Sequence, residues 1–115
     1  VLTFPASTKV FVCTLPTDMR RSFDGLSAMA TSVVQQDPLS GHLFVFRNKG
    51  GDRLKVLYWD HDGLCIWYKR LEKGTFELPA VTATSVEISS AELSMLIDGI
   101  ALNAQRRKRF VLTRT

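Results

Sequence analysis

Seven cations and two tryptophans crowd into one stretch of this chain and carry its clearest chemical signal. Arg47, Lys49, Arg53, Lys55, Lys69, Arg70 and Lys73 flank Trp59 and Trp67 within residues 41–79. Lysine and arginine neutralise phosphates and release their counterions, and an indole offers a flat face on which a base can stack. A second run of cations, Arg106, Arg107, Lys108 and Arg109, follows near the C-terminus. Cations interleaved with aromatic residues suit nucleic acid. The alternative is a solvated strand face on which long side chains lie over a tryptophan, and Asp52, Asp60, Asp62 and Glu72 in the same stretch keep it open.

Other groupings carry less. Asp60-His61-Asp62 has the residue types of a metal or acid/base site, but neighbours in a tight turn point apart, and turn geometry already explains Asp and Gly there. Asp18 and Asp24, six apart on a predicted helix, fall on opposite sides of it. The Gly-rich run NKGGD at 48–52 lacks the GxxxxGK[ST] spacing of a phosphate-binding loop and joins two strands instead of opening a helix. No Ser or Cys has a His that the sequence places beside it, since His42 and His61 sit at strand or turn edges. Cys13 and Cys65 show no CxxC pairing and the histidines no HxxxH pairing. They read as small buried hydrophobes, and a disulfide would better suit a secreted protein. The expectation is a protein with no enzymatic activity, no cofactor and no metal.

Charge separates the tail from the rest. Of 15 Lys and Arg residues, five follow Asp98, leaving ten against 11 acids up to and including it, so the net charge of +4 comes from the end of the chain. No apolar run approaches the roughly 20 residues that span a bilayer, and VLTFPASTKV lacks a signal-peptide pattern. A cytoplasmic protein without a membrane partner is expected.

The elements that must position these residues follow from periodicity. At 115 residues the chain has the size of one domain, with 1–102 expected as a single α+β domain and 103–115 as a basic tail. KVFVC at 9–13 alternates as a strand. Thr17 as N-cap and Asp18 in the first turn open a long helix, whose stripe is Met19, Phe23, Leu26, Ala30 and Val33. Asp37-Pro38 ends it. LFVF at 43–46 is apolar on both faces, as an interior strand should be. Strands at 53–59 and 64–69 form a hairpin, Phe76 and Leu78 a short edge strand, and 86–88 one more. Ser89 or Ser90 caps a second helix with Leu93, Leu96, Ile97 and Ile100 as its stripe. The fold class is α+β: a mainly antiparallel sheet built on a central meander, one long helix on one face, and a C-terminal helix.

The hairpin register decides which side chains share a face. A three-residue loop, His61 to Gly63, with Gly63 in the left-handed position, sets Asp60 opposite Leu64. Leu54, Val56, Tyr58, Leu64, Ile66 and Tyr68 then form the seat of the first helix. Arg53, Lys55, Leu57, Trp59, Cys65, Trp67 and Lys69 form the other, cationic face.

Three runs, PTDMRRSFDGL at 16–26, GHLFVFRNKGGDRLKVLYWDHDGLCIWYKRLEKGTFELP at 41–79 and LSMLIDGI at 93–100, occur here in one order. Together they resemble the accessory proteins encoded by the second open reading frame, often called TnpB, of bacterial insertion sequences of the sixty-six family. The resemblance spans residues 8–100. It implies a role in transposition beside a separate, larger transposase that carries the strand-transfer carboxylates. Two expectations follow. The first is DNA binding through Arg47, Lys49, Arg53, Lys55, Trp59, Trp67, Lys69 and Arg70 with the tail cations Arg106, Arg107, Lys108 and Arg109. The second is an adaptor that docks on the transposase through Arg20, Arg21, Trp59 and Trp67 without touching DNA.

Overall fold

The computed structural model describes residues 4–99. Ile100, the tail cations and the proposed boundary at 102 lie outside the described residues. Five strands form one sheet: β1 (Val10–Cys13), β2 (Leu43–Arg47), β3 (Arg53–Asp60), β4 (Gly63–Arg70) and β5 (Ser85–Ile88), in the order β4-β3-β2-β1-β5. β1 and β2 pair in parallel and every other neighbouring pair is antiparallel. The α+β architecture expected from the sequence is the one observed. β2 lies mid-sheet, and Leu43 to Phe46 are fully buried, as their apolar character on both faces requires.

The first helix is shorter than its periodicity suggests. Residues 17–22 form no helix, and α1 is Phe23–Met29 with Ser22 at its N-cap, continued by a π-helical segment, Ala30–Val34. Thr17 does not cap a helix. It is held at the end of β2, where its backbone N–H donates to the Arg47 carbonyl at 2.9 Å. The wider π-turn shifts the stripe by one residue, so Leu26, Ala30 and Val34 are buried while Val33 is only partly so. Gln35 closes the segment in the left-handed conformation at φ 61°. α2 (Ser90–Ile97) begins as expected: Ser89 accepts from the Glu92 N–H and Glu92 returns the bond to the Ser89 N–H, a capping box that satisfies two orphan donors.

Each sheet face has its own core. On one side α1 and the π-segment bury Leu26, Ala30 and Val34 against Cys13, Phe44, Phe46 and Leu57, with Leu64 and Ile66 packed alongside. On the other, Leu93 and Leu96 of α2 cover Val10, Val12, Leu43, Val45, Leu54, Val56 and Ile88, each large aliphatic side chain contributing about 2 kcal/mol. Phe76 belongs to this second core, fully buried. The 76–78 segment is not the edge strand its pattern suggests. It is a plug, with the Phe76 N–H donating to the Gly51 carbonyl at 2.7 Å.

The hairpin loop differs from expectation by one residue, and the difference re-pairs β3 with β4. Asp60 pairs with Gly63, so the loop is His61-Asp62 alone. His61 takes φ 57° and the Asp62 N–H reaches back to the Asp60 carbonyl, a γ-turn of the strained kind. A two-residue connection matches the right-handed twist of the ribbon better than the longer loop. Because side chains alternate with period two, this slip turns the two strands over relative to each other, so the β4 residues expected under the first helix stay there and the β3 residues do not. Arg53, Lys55, Leu57 and Trp59 stand with Arg70, Tyr68, Ile66 and Leu64 on the α1 face, while Leu54, Val56 and Tyr58 stand with Lys69, Trp67 and Cys65 on the α2 face. α1 therefore sits on Leu57, Leu64 and Ile66, not on Leu54, Val56 and Tyr58. Cys13 and Cys65 lie on opposite faces, so both are free.

Candidate nucleic-acid interface

The α1 face of the β3–β4 ribbon changes character along its length. α1 covers the Leu57–Ile66 pair. One step towards the start of β3 is the Lys55–Tyr68 pair, and beyond it Arg53 stands directly opposite Arg70. Two guanidinium groups opposed on one face repel, an arrangement that costs stability unless something anionic lies over it. Arg53 donates to the Tyr68 hydroxyl at 3.2 Å. Arg70 meets Glu72 at 3.1 Å in an exposed pair, the kind that contributes little. Among the described residues neither Arg53 nor Lys49 makes a salt bridge.

An open groove of about 560 Å³ runs from Arg53 between two loops. One wall is the β2–β3 turn. Asn48 fixes it, its side-chain amide donating to Asp52 at 2.8 Å and its side-chain oxygen accepting from the Arg53 N–H at 3.0 Å. The first of these bonds also holds the Asp52 carboxyl below the usual carboxylate range. Gly51 turns the chain at φ 80°, where a Cβ would stand 3.2 Å from Thr75. Lys49 projects from this turn, exposed. The other wall is the 16–21 loop. Its Asp18 accepts from the Arg20 N–H at 2.9 Å and from the guanidinium at 2.7 Å. These bonds, the side-chain one foremost, bring the Asp18 carboxyl from 3.8 down to about 2, so it stays ionised and paired at any physiological pH. The Arg20 side chain remains 92% exposed.

Lys55 holds the second wall in place. It is only 7% exposed, its Nζ donating to the Met19 and Arg21 carbonyls at 2.9 and 2.8 Å and lying 4.9 Å from the centre of the Tyr68 ring. Lys55 is thus not a surface contact but a tie between loop and sheet. Arg47 and Lys69 are on the opposite face. Arg47 donates to the Phe76 carbonyl at 2.7 Å, and Lys69 to the Ile97 carbonyl at the end of α2 at 2.8 Å. The two tryptophans do not form one platform. Trp59 is half-buried on the α1 face, while Trp67 is half-buried against the α2 core. The two-residue loop is the cause.

The groove therefore joins residues that the sequence reading had divided between two roles, Arg20 from the adaptor set and Lys49 and Arg53 from the DNA-binding set, and Arg53 links it to a second open hollow lined with Tyr68, Arg70 and Glu72. Tyr68, 47% exposed, is the member that reading placed under the helix. Its position beside Lys69 and Arg70 was the available signal.

The family described as IS66 Orf2 like protein matches residues 8–107. The chain belongs to the IS66 Orf2-like family. It is an accessory-type protein of insertion sequences, and the match reaches Arg106 and Arg107 in the tail. Among its relatives, the uncharacterized protein y4hO of Sinorhizobium fredii is 41% identical over 92 residues, 80% of each chain. The uncharacterized protein y4jC of the same organism is 39% identical over 100 residues, 87% of this chain and 86% of that one. No solved structure matches. Among the described residues no helix is long and apolar enough to cross a membrane, and no group of three or more His, Cys, Asp or Glu could hold a metal ion.

Proposed function

We propose that this IS66 Orf2-like protein is a non-catalytic accessory in transposition that binds duplex DNA by its phosphate backbone. Lys49, Arg53 and Arg70 make the contacts, Arg20 extends them across the groove, and the tail cations add attraction. The observation that carries this reading is the Arg53–Arg70 pair: two arginines opposed on one face, of which Arg53 lines the open groove and both line the hollow beside it. An arginine fork suits phosphate oxygens in pairs, and phosphate contacts position a protein without reading sequence. Tyr68 supplies an aromatic surface at the groove's edge, a role the separated tryptophans cannot share.

The test is a titration of duplex DNA followed by fluorescence anisotropy at several salt concentrations. Affinity should fall steeply with salt, and absence of binding at low salt would refute the proposal.

A second reading rests on a different observation. Phe23, 45% exposed at the start of α1, follows Arg20 and Arg21 closely in sequence, and aromatic and Arg residues are enriched at protein interfaces. We assign this corner to docking on the transposase of the same element. Co-purification that survives nuclease treatment and is lost in Phe23→Ala supports it; a complex that dissolves when DNA is removed counts against it.

A further inference from the structure

The sheet has two unlike edges. β5, at one end, has four residues and carries Glu87, and short or charged edge strands resist pairing with another chain. β4, at the other end, has eight residues, GLCIWYKR, with no proline. It pairs with β3 without interruption over all eight positions, so no bulge turns it aside. Its one inner lysine is committed, Lys69 being bonded to the Ile97 carbonyl. Leu64 to Trp67 are all only half-buried.

The direction of the free backbone groups follows from the register. The Leu71 N–H donates to the Asp52 carbonyl, and with Asp60 opposite Gly63 the odd-numbered residues of β4 bond to β3. Alternation then turns the N–H and C=O of Leu64, Ile66, Tyr68 and Arg70 to the open edge. An antiparallel partner can pair these residues only with outward-turned residues of its own.

We propose that this edge pairs with the β4 edge of a second copy of the chain, antiparallel about Ile66. The strand is complementary to itself in that register. Ile66 meets its counterpart, Leu64 meets Tyr68, Cys65 meets Trp67, and Asp62 in the turn meets Arg70 at both ends. Every directly opposed pair is apolar with apolar or acid with base, apart from Gly63 opposite Lys69, and opposed pairs are the unit of sheet stabilisation. Of the two registers two residues away, one sets Arg70 against Leu64 and Asp62 against Glu72, an apolar mismatch and an acid-acid contact, and the other sets Arg70 against Asp60 but leaves Tyr68 opposite Asp62 and Trp67 opposite Gly63. In the DNA-free protein Arg70 is available for the contact, because its pair with Glu72 is exposed and weak. Two five-stranded sheets become one, with both α1 helices on the same side. The two Arg53 grooves then face the same way. The pairing does not depend on DNA binding.

Sedimentation velocity of the full chain without DNA tests it, with charge reversal at residues that fold does not need. Asp62 is exposed and the Arg70 side chain is 57% exposed. Arg70→Asp or Asp62→Arg alone sets like charges opposite each other at two symmetric positions and should raise the dimer dissociation constant about tenfold. The double variant should restore it. Within one chain the two residues stand roughly 25 Å apart along the strand, so restoration can arise only between copies. A wild-type chain that stays monomeric at every concentration overturns the proposal, as does a dimer indifferent to the single reversals. A monomer that uses this edge to capture another protein overturns it too.

Discussion

Arg53 is where charge, position and freedom from a carboxylate coincide, so its substitution should be the most informative single change. Arg53→Ala should weaken duplex binding uniformly across sequences and lower the salt slope by about one, with folding unchanged by circular dichroism. Arg47→Ala should behave otherwise: its guanidinium is bonded to the Phe76 carbonyl on the opposite face, so stability drops while the slope stays. Asp18 offers a pH test. Its folded pKa is about 2, below the ordinary carboxylate value, so its contribution to stability is complete above about pH 4 and is lost as pH falls towards 2. Asp18→Asn should remove that acid-side decline in thermal unfolding and leave DNA affinity flat between pH 6 and 8. His61 bears a cost in the opposite sense. At φ 57° a side chain strains the backbone, and His61→Gly should stabilise the protein by about 1 kcal/mol in a urea titration.

At the scale of elements, the groove exists because a loop is tied to a sheet by one buried ammonium. Lys55→Met should leave the Met19 and Arg21 carbonyls without a partner, destabilise the fold by about 2 kcal/mol, and speed amide exchange at residues 19–21. DNA affinity should fall although Lys55 touches no phosphate. Much of this was legible beforehand. LFVF announced a strand buried on both sides, and Ser89 with Glu92 announced the capped start of α2, because these signals are local. The start of α1 was not legible. Thr17 and Asp18 are as well suited to a loop as to a cap, and the Arg47 carbonyl across the sheet settles which.

For the whole molecule, charge is divided by place. Residues up to Asp98 carry ten cations against 11 acids, and the surplus follows them. Replacing Arg106, Arg107, Lys108 and Arg109 by Gln should therefore remove about three to four units of salt slope, yet leave the effect of Arg53→Ala in place. Tail charge would supply attraction, and the groove would supply register on the backbone. Loss of the Arg53 effect in that background would show that the two do not act independently.

The sequence alone determined the fold class, the family and the stock of cations, since propensity, capping and composition are properties of neighbours along the chain. Tertiary structure decided which cations meet. A loop of two residues instead of three turned β3 and β4 over relative to each other, parted Trp59 from Trp67, and set Arg70 beside Arg53. Period-two alternation makes every strand side chain depend on one turn, and both loop lengths are compatible with DHDG. The packing of Leu57 together with Leu64 and Ile66 under α1 fits only the shorter one, and that choice placed the arginines.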